Sequence, residues 1–289
     1  MLYLDAENTR RAFPMADAVD AMAHAFSGEA ETPLRTLVGA SLVMPGRLDD
    51  HMAVKVVSTV PGNPAGIVVV FGPDGSPMGI VDGPTLTAIR TGAVCGLATR
   101  VLASEEVKTL AALGAGAMGF DQIEAIRAVR PIDRILVWSR DPGKAKTLAE
   151  RVGGEAVEDR DEAVAAADVV SCATPAREPL FRAESVRPGT HLNAVGAFTP
   201  EMAELPPGVL TDAFVVVDDR DAAAAEAGDL IQAGRAPDAT LREILAGEAT
   251  PPVGRTTVFK SVGIAAQDVA AGRRALENAA RMGIGVGLS

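Results

Sequence analysis

Aromatic residues are scarce in this chain: Phe, Trp and Tyr make up 3% of its 289 residues. A protein that binds single-stranded nucleic acid by stacking would have little to stack with. Basic charge is short too. Lys and Arg number 27 against 38 Asp and Glu, a formal net charge of −11. No block of Lys or Arg relieves that balance, and nucleic-acid binding needs a basic field to displace phosphate counterions. The two cysteines, Cys95 and Cys172, lie far apart among small apolar neighbours. They make no disulfide framework, and a reducing compartment is the default. The three histidines, His24, His51 and His191, show no HxxxH or HExxH spacing, so no zinc or other metal site is expected. No apolar run approaches the roughly 20 residues of a membrane span. The N-terminus, Met-Leu-Tyr-Leu-Asp-Ala-Glu, has neither the basic region nor the apolar core of a signal peptide. The expectation is a cytoplasmic protein with neither nucleic acid nor membrane as partner.

What is present suits a full core. Apolar residues make up 48% of the chain and charged residues 22%, ordinary for a globular protein. The length suggests two domains or one large α/β domain. Apolar positions at helical spacing run over 15–26, just after Pro14. Over 36–84 the texture changes to short β-rich runs at 37–44, 52–59, 66–71 and 78–81, separated by Pro-Gly, Gly-Asn-Pro and Pro-Asp-Gly. Such punctuation predicts antiparallel strands, with Pro73-Asp74-Gly75 as one hairpin turn. Helical spacing returns over 84–102 through Leu86, Ile89, Arg90, Ala93, Leu97 and Ala98.

The clearest passage follows. Residues 108–113 are a short continuous apolar strand, of the kind buried on both faces of a parallel sheet. It runs into Gly114-Ala-Gly116-Ala117-Met118-Gly119, which opens a helical stretch over 120–130 and leads to a second strand at 134–138. GxGxxG between strand and helix is the dinucleotide fingerprint. Gly114 permits the tight turn, Gly116 lets backbone approach a pyrophosphate, and Gly119 lets helix and strand pack closely. The helix N-terminus faces the phosphates with free N–H groups. Further alternation, a helix at 141–151 and strands at 169–173, 191–195 and 214–218, predicts an α/β fold with a Rossmann-type doubly wound parallel sheet. The alanine run at 222–225 reads as helix, and 264–281 is the best C-terminal helix.

The second strand ends Trp138-Ser139-Arg140. An NAD site normally places an acid there for the ribose 2′-hydroxyl. Here stand a hydroxyl and a guanidinium, followed by Asp141 and Lys144. Forked donors suit a 2′-phosphate. NADPH is the preferred cofactor, with Asp141 keeping NADH open.

The order of these features, with a set of short segments, resembles the ornithine cyclodeaminase/mu-crystallin family. The segments are Pro33-Leu-Arg35-Thr36, Met52-Ala-Val-Lys55 with Pro61-Gly-Asn63, Leu86-Thr-Ala-Ile-Arg90-Thr91-Gly-Ala93, Gly114–Gly119, Leu192-Asn-Ala-Val195-Gly196, Glu226-Ala-Gly-Asp-Leu230 and Thr257-Val-Phe-Lys-Ser261-Val-Gly-Ile264. The resemblance implies NAD(P)-dependent chemistry at the Cα–N bond of an amino or imino acid. It also implies a homodimer built through the N-terminal region and the C-terminal helix. The expected division is a dinucleotide-binding domain at 105–261 and a mixed α+β substrate and dimerisation domain at 1–104 and 262–289.

Carried over by motif, Arg35, Lys55 and Arg90 are the expected substrate group. Arg can hold an α-carboxylate bidentately, and a Lys of tuned pKa can protonate the reacting nitrogen. The resemblance places Thr91, Ala173, Thr174, Val195, Gly196 and Ser261 at the cofactor, and Glu226 near the substrate. Glu226 also reads as an ordinary first-turn helical acid.

One departure narrows the reaction. Cyclodeaminases and archaeal-type alanine dehydrogenases of the family carry Asp after the Gly-Ala that follows the Asn-Ala-Val strand. Here the segment reads Gly196-Ala-Phe198-Thr-Pro200, and phenylalanine moves no protons. A preformed cyclic imine needs only a hydride at C2 and a proton on nitrogen, and Phe198 suits a ring methylene. The expected activity is reduction of Δ1-pyrroline-2-carboxylate or Δ1-piperideine-2-carboxylate to L-proline or L-pipecolate. The alternatives are cyclodeaminase, alanine dehydrogenase or opine dehydrogenase activity, and a dinucleotide-dependent binder without turnover.

Overall fold

A computed structural model describes residues 1–60 and 65–288. The segment Pro61-Gly-Asn63 quoted above lies outside the described residues. The chain forms two compact units, Met1–Ala93 with Gly263–Ser289, and Val94–Val262.

The first unit is built on an eight-stranded sheet, counted among the described residues. Ser41–Leu48, His51–Ser58, Gly66–Phe71 and Pro77–Asp82 form consecutive antiparallel ladders. Alternation along them turns Met44, Leu48, Ala53, Val68, Val70 and Val81 inward, all buried. The helix Ala265–Met282 covers that face. The approach is close enough to require glycine: a Cβ at Gly46 would lie 2.6 Å from Ala265 Cβ, and one at Gly79 would lie 2.5 Å from Leu276 Cδ2. The opposite face carries Val43, Val54, Val56, Ile67 and Val69, none of them fully buried; Ile67 is 42% exposed and Met52 41%.

The sequence reading of 37–44 as one strand is corrected here. Thr36–Val38 and Ser41–Leu48 are two strands of a hairpin, and Gly39 takes φ +58 at the turn between them, a value that suits glycine. The other runs hold within a residue or two, and Pro73-Asp74-Gly75 does turn the chain between Gly66–Phe71 and Pro77–Asp82. Asp74 Oδ1 accepts from Ser76 N at 3.0 Å there. Several short elements escaped the sequence reading, among them the strand Leu2–Leu4, parallel to Pro77–Asp82, and the helix Ala6–Ala12, capped by Asp5.

The second unit holds a parallel sheet of the Rossmann type. Its order across the sheet is Glu155–Ala156, Arg134–Trp138, Thr109–Leu113, Val169–Cys172, His191–Ala194, Thr257–Lys260, Phe214–Val217 and Ala239–Thr240. All of its ladders are parallel. Strand order reverses between Thr109–Leu113 and Val169–Cys172, and the crevice beyond the carboxyl ends of such a pair is where open α/β sheets bind ligands. Leu110, Ala112, Ile123, Ile126, Val137 and Leu148 pack the core on one side. Thr257–Lys260 inserts between His191–Ala194 and Phe214–Val217, although it comes last in the chain. Among the described residues no helix is long and apolar enough to cross a membrane.

Candidate active site

In the first unit, strand alternation places Lys55 on the inward face of His51–Ser58, in register with Met44 and Val68. Its Nζ lies 2.7 Å from Asp268 Oδ2, in the first turn of Ala265–Met282. Arg90, on the helix Gly83–Leu102, points Nε at Asp268 Oδ1 at 3.3 Å and donates from Nη1 to Gln267 Oε1 at 3.0 Å. The guanidinium rests on Gly263, where φ is +84 and a Cβ would come within 2.9 Å of Nη1. Lys55, Arg90 and Asp268 are all buried.

Burial pushes the Lys55 ammonium down to about 8. Asp268 pulls it back up, while Arg90 and Arg35 lower it further. Arg35 is half-buried and close enough to act on Lys55. Two buried cations, Lys55 and Arg90, share the one carboxylate of Asp268, an excess of 2 − 1 = +1. Gln267 Nε2 is buried with no protein partner. An anionic group is what such a cluster would accept, since unbalanced buried charge and an unmade donor are both costly. Thr91 Oγ1, one residue after Arg90, is likewise buried without a partner.

Sequence reasoning picked Arg35, Lys55 and Arg90, and the structure brings these three together. It missed Asp268, Gln267 and Gly263. The available signal was a Gln-Asp pair inside an otherwise apolar stripe of Ala265, Ala266, Val269 and Ala270. A first-turn acid is also an ordinary partner of the helix dipole, so residue type alone does not mark Asp268.

In the second unit the glycine loop follows Thr109–Leu113. Gly114 has φ +124, and a Cβ there would meet Ala173 O at 2.6 Å. A Cβ at Gly119 would meet Gly114 O at 2.6 Å and Leu148 Cδ2 at 2.9 Å. Gly116 differs. It is exposed, its φ is not positive, and a Cβ there would meet nothing within 4 Å. The protein itself makes no demand for glycine at that point, whereas a pyrophosphate lying against the backbone would. Ala117 and Met118 lead into the helix Gly119–Val129, whose first N–H groups have no intrahelical acceptors. These residues fit a dinucleotide.

At the end of Arg134–Trp138, Arg140 and Lys144 are exposed. Ser139 Oγ accepts from Asp141 N at 3.3 Å. Asp141 caps the helix Pro142–Val152, its Oδ1 accepting from Gly143 N at 3.0 Å and Lys144 N at 3.3 Å. The helix cap thus takes one oxygen of the acid that follows Arg140. A cavity of about 460 Å³ opens beside it, lined by Trp138, Arg140, Arg160 and Arg177 among others.

Ala173, Thr174, Val195 and Gly196 lie at the carboxyl ends of Val169–Cys172 and His191–Ala194. Ser261 donates its hydroxyl to Asp218 Oδ2 at 2.8 Å. Phe198 is 42% exposed on the loop after His191–Ala194. Glu226 closes the helix Arg220–Glu226 rather than opening one, so the first-turn reading is corrected. His191 is buried, with burial pushing it down to about 3, and bonds Thr257 and Asn193. It stays neutral and holds strands together.

The chain is similar along its whole length to proteins of known activity. It is 35% identical to a Δ1-pyrroline-2-carboxylate reductase of Bacillus cereus, covering 99% of this chain and 98% of that one. Its fold superposes with a TM-score of 0.93 on the Δ1-pyrroline-2-carboxylate reductase of Thermococcus litoralis, solved in complex with NADH and L-proline; identity is 31% and coverage is 100% of both chains. An archaeal alanine dehydrogenase dimer with bound NAD gives a TM-score of 0.92 at 28% identity, covering 100% of this chain and 99% of that one. The ornithine cyclodeaminase/mu-crystallin family model matches residues 12–283, and the chain belongs to that family.

Proposed function

We propose that this protein is an NADPH-dependent reductase of cyclic imino acids, converting Δ1-pyrroline-2-carboxylate or Δ1-piperideine-2-carboxylate to L-proline or L-pipecolate. The observation that carries the reading is the buried group of Lys55, Arg90 and Asp268, with Arg35 beside it. Its excess positive charge suits one carboxylate. Arg90 and Arg35 hold that carboxylate, and Gln267 Nε2 adds a donor. Lys55, lowered to about 8, is still protonated at neutral pH and close enough to its titration point to give the proton up. Asp268 holds the Lys55 ammonium in place.

When bound, the reduced nicotinamide supplies the hydride. With that hydride delivered to C2, Lys55 would give a proton to the nitrogen that receives the C=N π pair, while Arg90 and Arg35 would hold the carboxylate. Phe198 offers no group to move protons at the position where cyclodeaminases carry a carboxylate, which favours a preformed imine over ornithine. Asp141 turns one carboxylate oxygen to its helix cap, and Arg140, Arg160 and Arg177 line the adjoining cavity. Both observations favour a 2′-phosphate, hence NADPH over NADH.

The reading includes a homodimer. The outward face of the first unit's sheet is apolar and open along Val43, Val54, Val56, Ile67 and Val69. A second copy of the same face is self-complementary in chemistry. The deciding assay offers both cyclic imines with NADPH and NADH to the purified protein and follows nucleotide oxidation. No turnover above background with either imine would overturn the substrate class. Ammonia release from ornithine would point instead to cyclodeamination.

A further inference from the structure

Glu204 lies on the loop between His191–Ala194 and the helix Pro207–Asp212, and it is wholly buried. Its carboxylate takes four donors. Oε1 accepts from Thr174 N at 2.6 Å and Thr174 Oγ1 at 2.9 Å. Oε2 accepts from Gly196 N at 2.7 Å and Ala197 N at 3.2 Å. One side chain thus ties together the turns leaving two adjacent strands of the parallel sheet. The turns are as near as glycine allows: a Cβ at Gly196 would stand 2.1 Å from Thr174 O and 2.5 Å from Glu204 Oε1.

The network continues below. The N–H groups of Glu204 and Leu205 donate to Asp229 Oδ1 at 2.6 and 2.8 Å. Asp229 Oδ2 lies 2.7 Å from Lys260 Nζ, and Lys260 Nζ also donates to Ala197 O. Two carboxylates share one ammonium, so the group carries 1 − 2 = −1 when both acids are ionised. Burial raises the Glu204 pKa and the Asp229 carboxylate adds to the rise, while Lys260 and the Thr174 and Gly196 N–H groups offset only part of it. Three of the four contacts are backbone N–H groups that can only donate, which favours the anion; of the four, only the Thr174 hydroxyl could turn to accept a carboxyl proton. Taking such a charge out of water is costly, and tying two loops together would not by itself require it.

We infer that Glu204 is the positioning residue of the nicotinamide half of the nucleotide site: its carboxylate sets the separation of the Thr174 and Gly196 turns and lays a negative charge beneath the ring. The inference rests on the proposed binding of a nicotinamide nucleotide at this sheet edge. The reduced ring is neutral and the oxidised ring is cationic. A fixed negative charge beneath it therefore favours the oxidised form and helps the hydride leave.

The test measures binding to the full-length protein, without turnover, using NADPH, NADP⁺ and 2′,5′-ADP, which lacks the nicotinamide. Glu204→Gln removes the charge and turns an NH₂ toward one pair of N–H donors. The expected result is unchanged 2′,5′-ADP affinity, weaker NADPH, and NADP⁺ weakened about tenfold more than NADPH. Thr174→Val removes one hydrogen bond and keeps the charge. It should weaken NADPH and NADP⁺ equally, by about threefold, and leave 2′,5′-ADP alone. Equal loss of all three ligands in Glu204→Gln, or no loss, overturns the inference. If Glu204→Gln does not fold, Thr174→Val decides alone, and unchanged NADPH binding overturns it. Should the unmodified protein bind 2′,5′-ADP but neither nicotinamide form, the proposed function itself has failed.

Discussion

Lys55 Nζ stands 2.7 Å from Asp268 Oδ2, joining the middle of a strand to the first turn of the C-terminal helix. Both side chains are buried. This pair lets a lysine keep its proton in a place where burial works against the charge. It also links the acid–base chemistry of the site to the packing of Ala265–Met282 on the sheet.

That linkage sets a pH profile. Lys55 is protonated below about 8 and neutral above it, and imine reduction needs the protonated form. The kcat/KM for reduction should fall as pH rises through about 8. Asp268→Asn removes the largest upward pull on Lys55, so the falling limb should move to lower pH. Lys55→Met should abolish the limb and lower kcat/KM by about 10²–10⁴-fold. A limb that stays in place or moves upward in Asp268→Asn would contradict the role given to Lys55.

Arg90 is expected to act mainly on substrate binding. Arg90→Met should raise KM for the imino acid by about 10- to 100-fold, the worth of one or two charge-assisted hydrogen bonds. Arg35, only half-buried, should show a smaller rise when changed to Met. Steady-state kinetics at saturating NADPH separates the two; equal KM in all three proteins would remove the arginines from the carboxylate.

The glycines of the loop should part company. Gly119→Ala forces a Cβ against Gly114 O and should cost about 1–3 kcal/mol of stability, read as a lower Tm without ligand. Gly116→Ala meets no protein atom, so its ligand-free Tm should match the unmodified protein while NADPH affinity falls. Equal effects on Tm would mean that Gly116 serves the fold.

Nucleotide choice should depend on the arginines of the cavity beside Trp138. Arg140→Ala should raise KM for NADPH about tenfold or more and leave KM for NADH nearly unchanged. Arg160→Ala should act in the same direction, since Arg160 lines the same cavity, with its guanidinium 5.0 Å from the Trp138 ring centroid. Parallel changes for both nucleotides would refute a 2′-phosphate contact.

Placing a charge on the open sheet face should split the proposed dimer. Val54 and Ile67 both lie on that face, on neighbouring strands. Val54→Glu with Ile67→Glu should give a monomer by sedimentation while leaving the inward core intact. A protein whose mass in solution is the same with and without the pair would show that this face is not the contact.

Local patterning decided much of this molecule. Continuous apolar runs marked Thr109–Leu113 and Arg134–Trp138 because strands buried on both faces have no polar side to alternate. The GxGxxG spacing marked the strand-to-helix turn because two of its glycines, Gly114 and Gly119, answer local steric demands. The positions of Lys55 and Arg90 came from short segments matched to a family. The hairpin at Gly39 was not legible, since Leu37, Val38, Leu42 and Val43 read as one apolar run and a single glycine can equally mark a bulge.

The sequence by itself determined the fold class and the passage from strand through glycine loop to helix, because these depend on residues close together in the chain; Arg35, Lys55 and Arg90 entered as candidates through the family resemblance. Only the tertiary structure decided which acids meet the buried cations. Asp268 reaches Lys55 through the packing of a distant helix on the sheet, and Asp229 reaches Lys260 because Thr257–Lys260 inserts out of chain order between two earlier strands. Burial then converts such meetings into shifted protonation, and burial is a property of the assembled core that no local stretch of sequence carries.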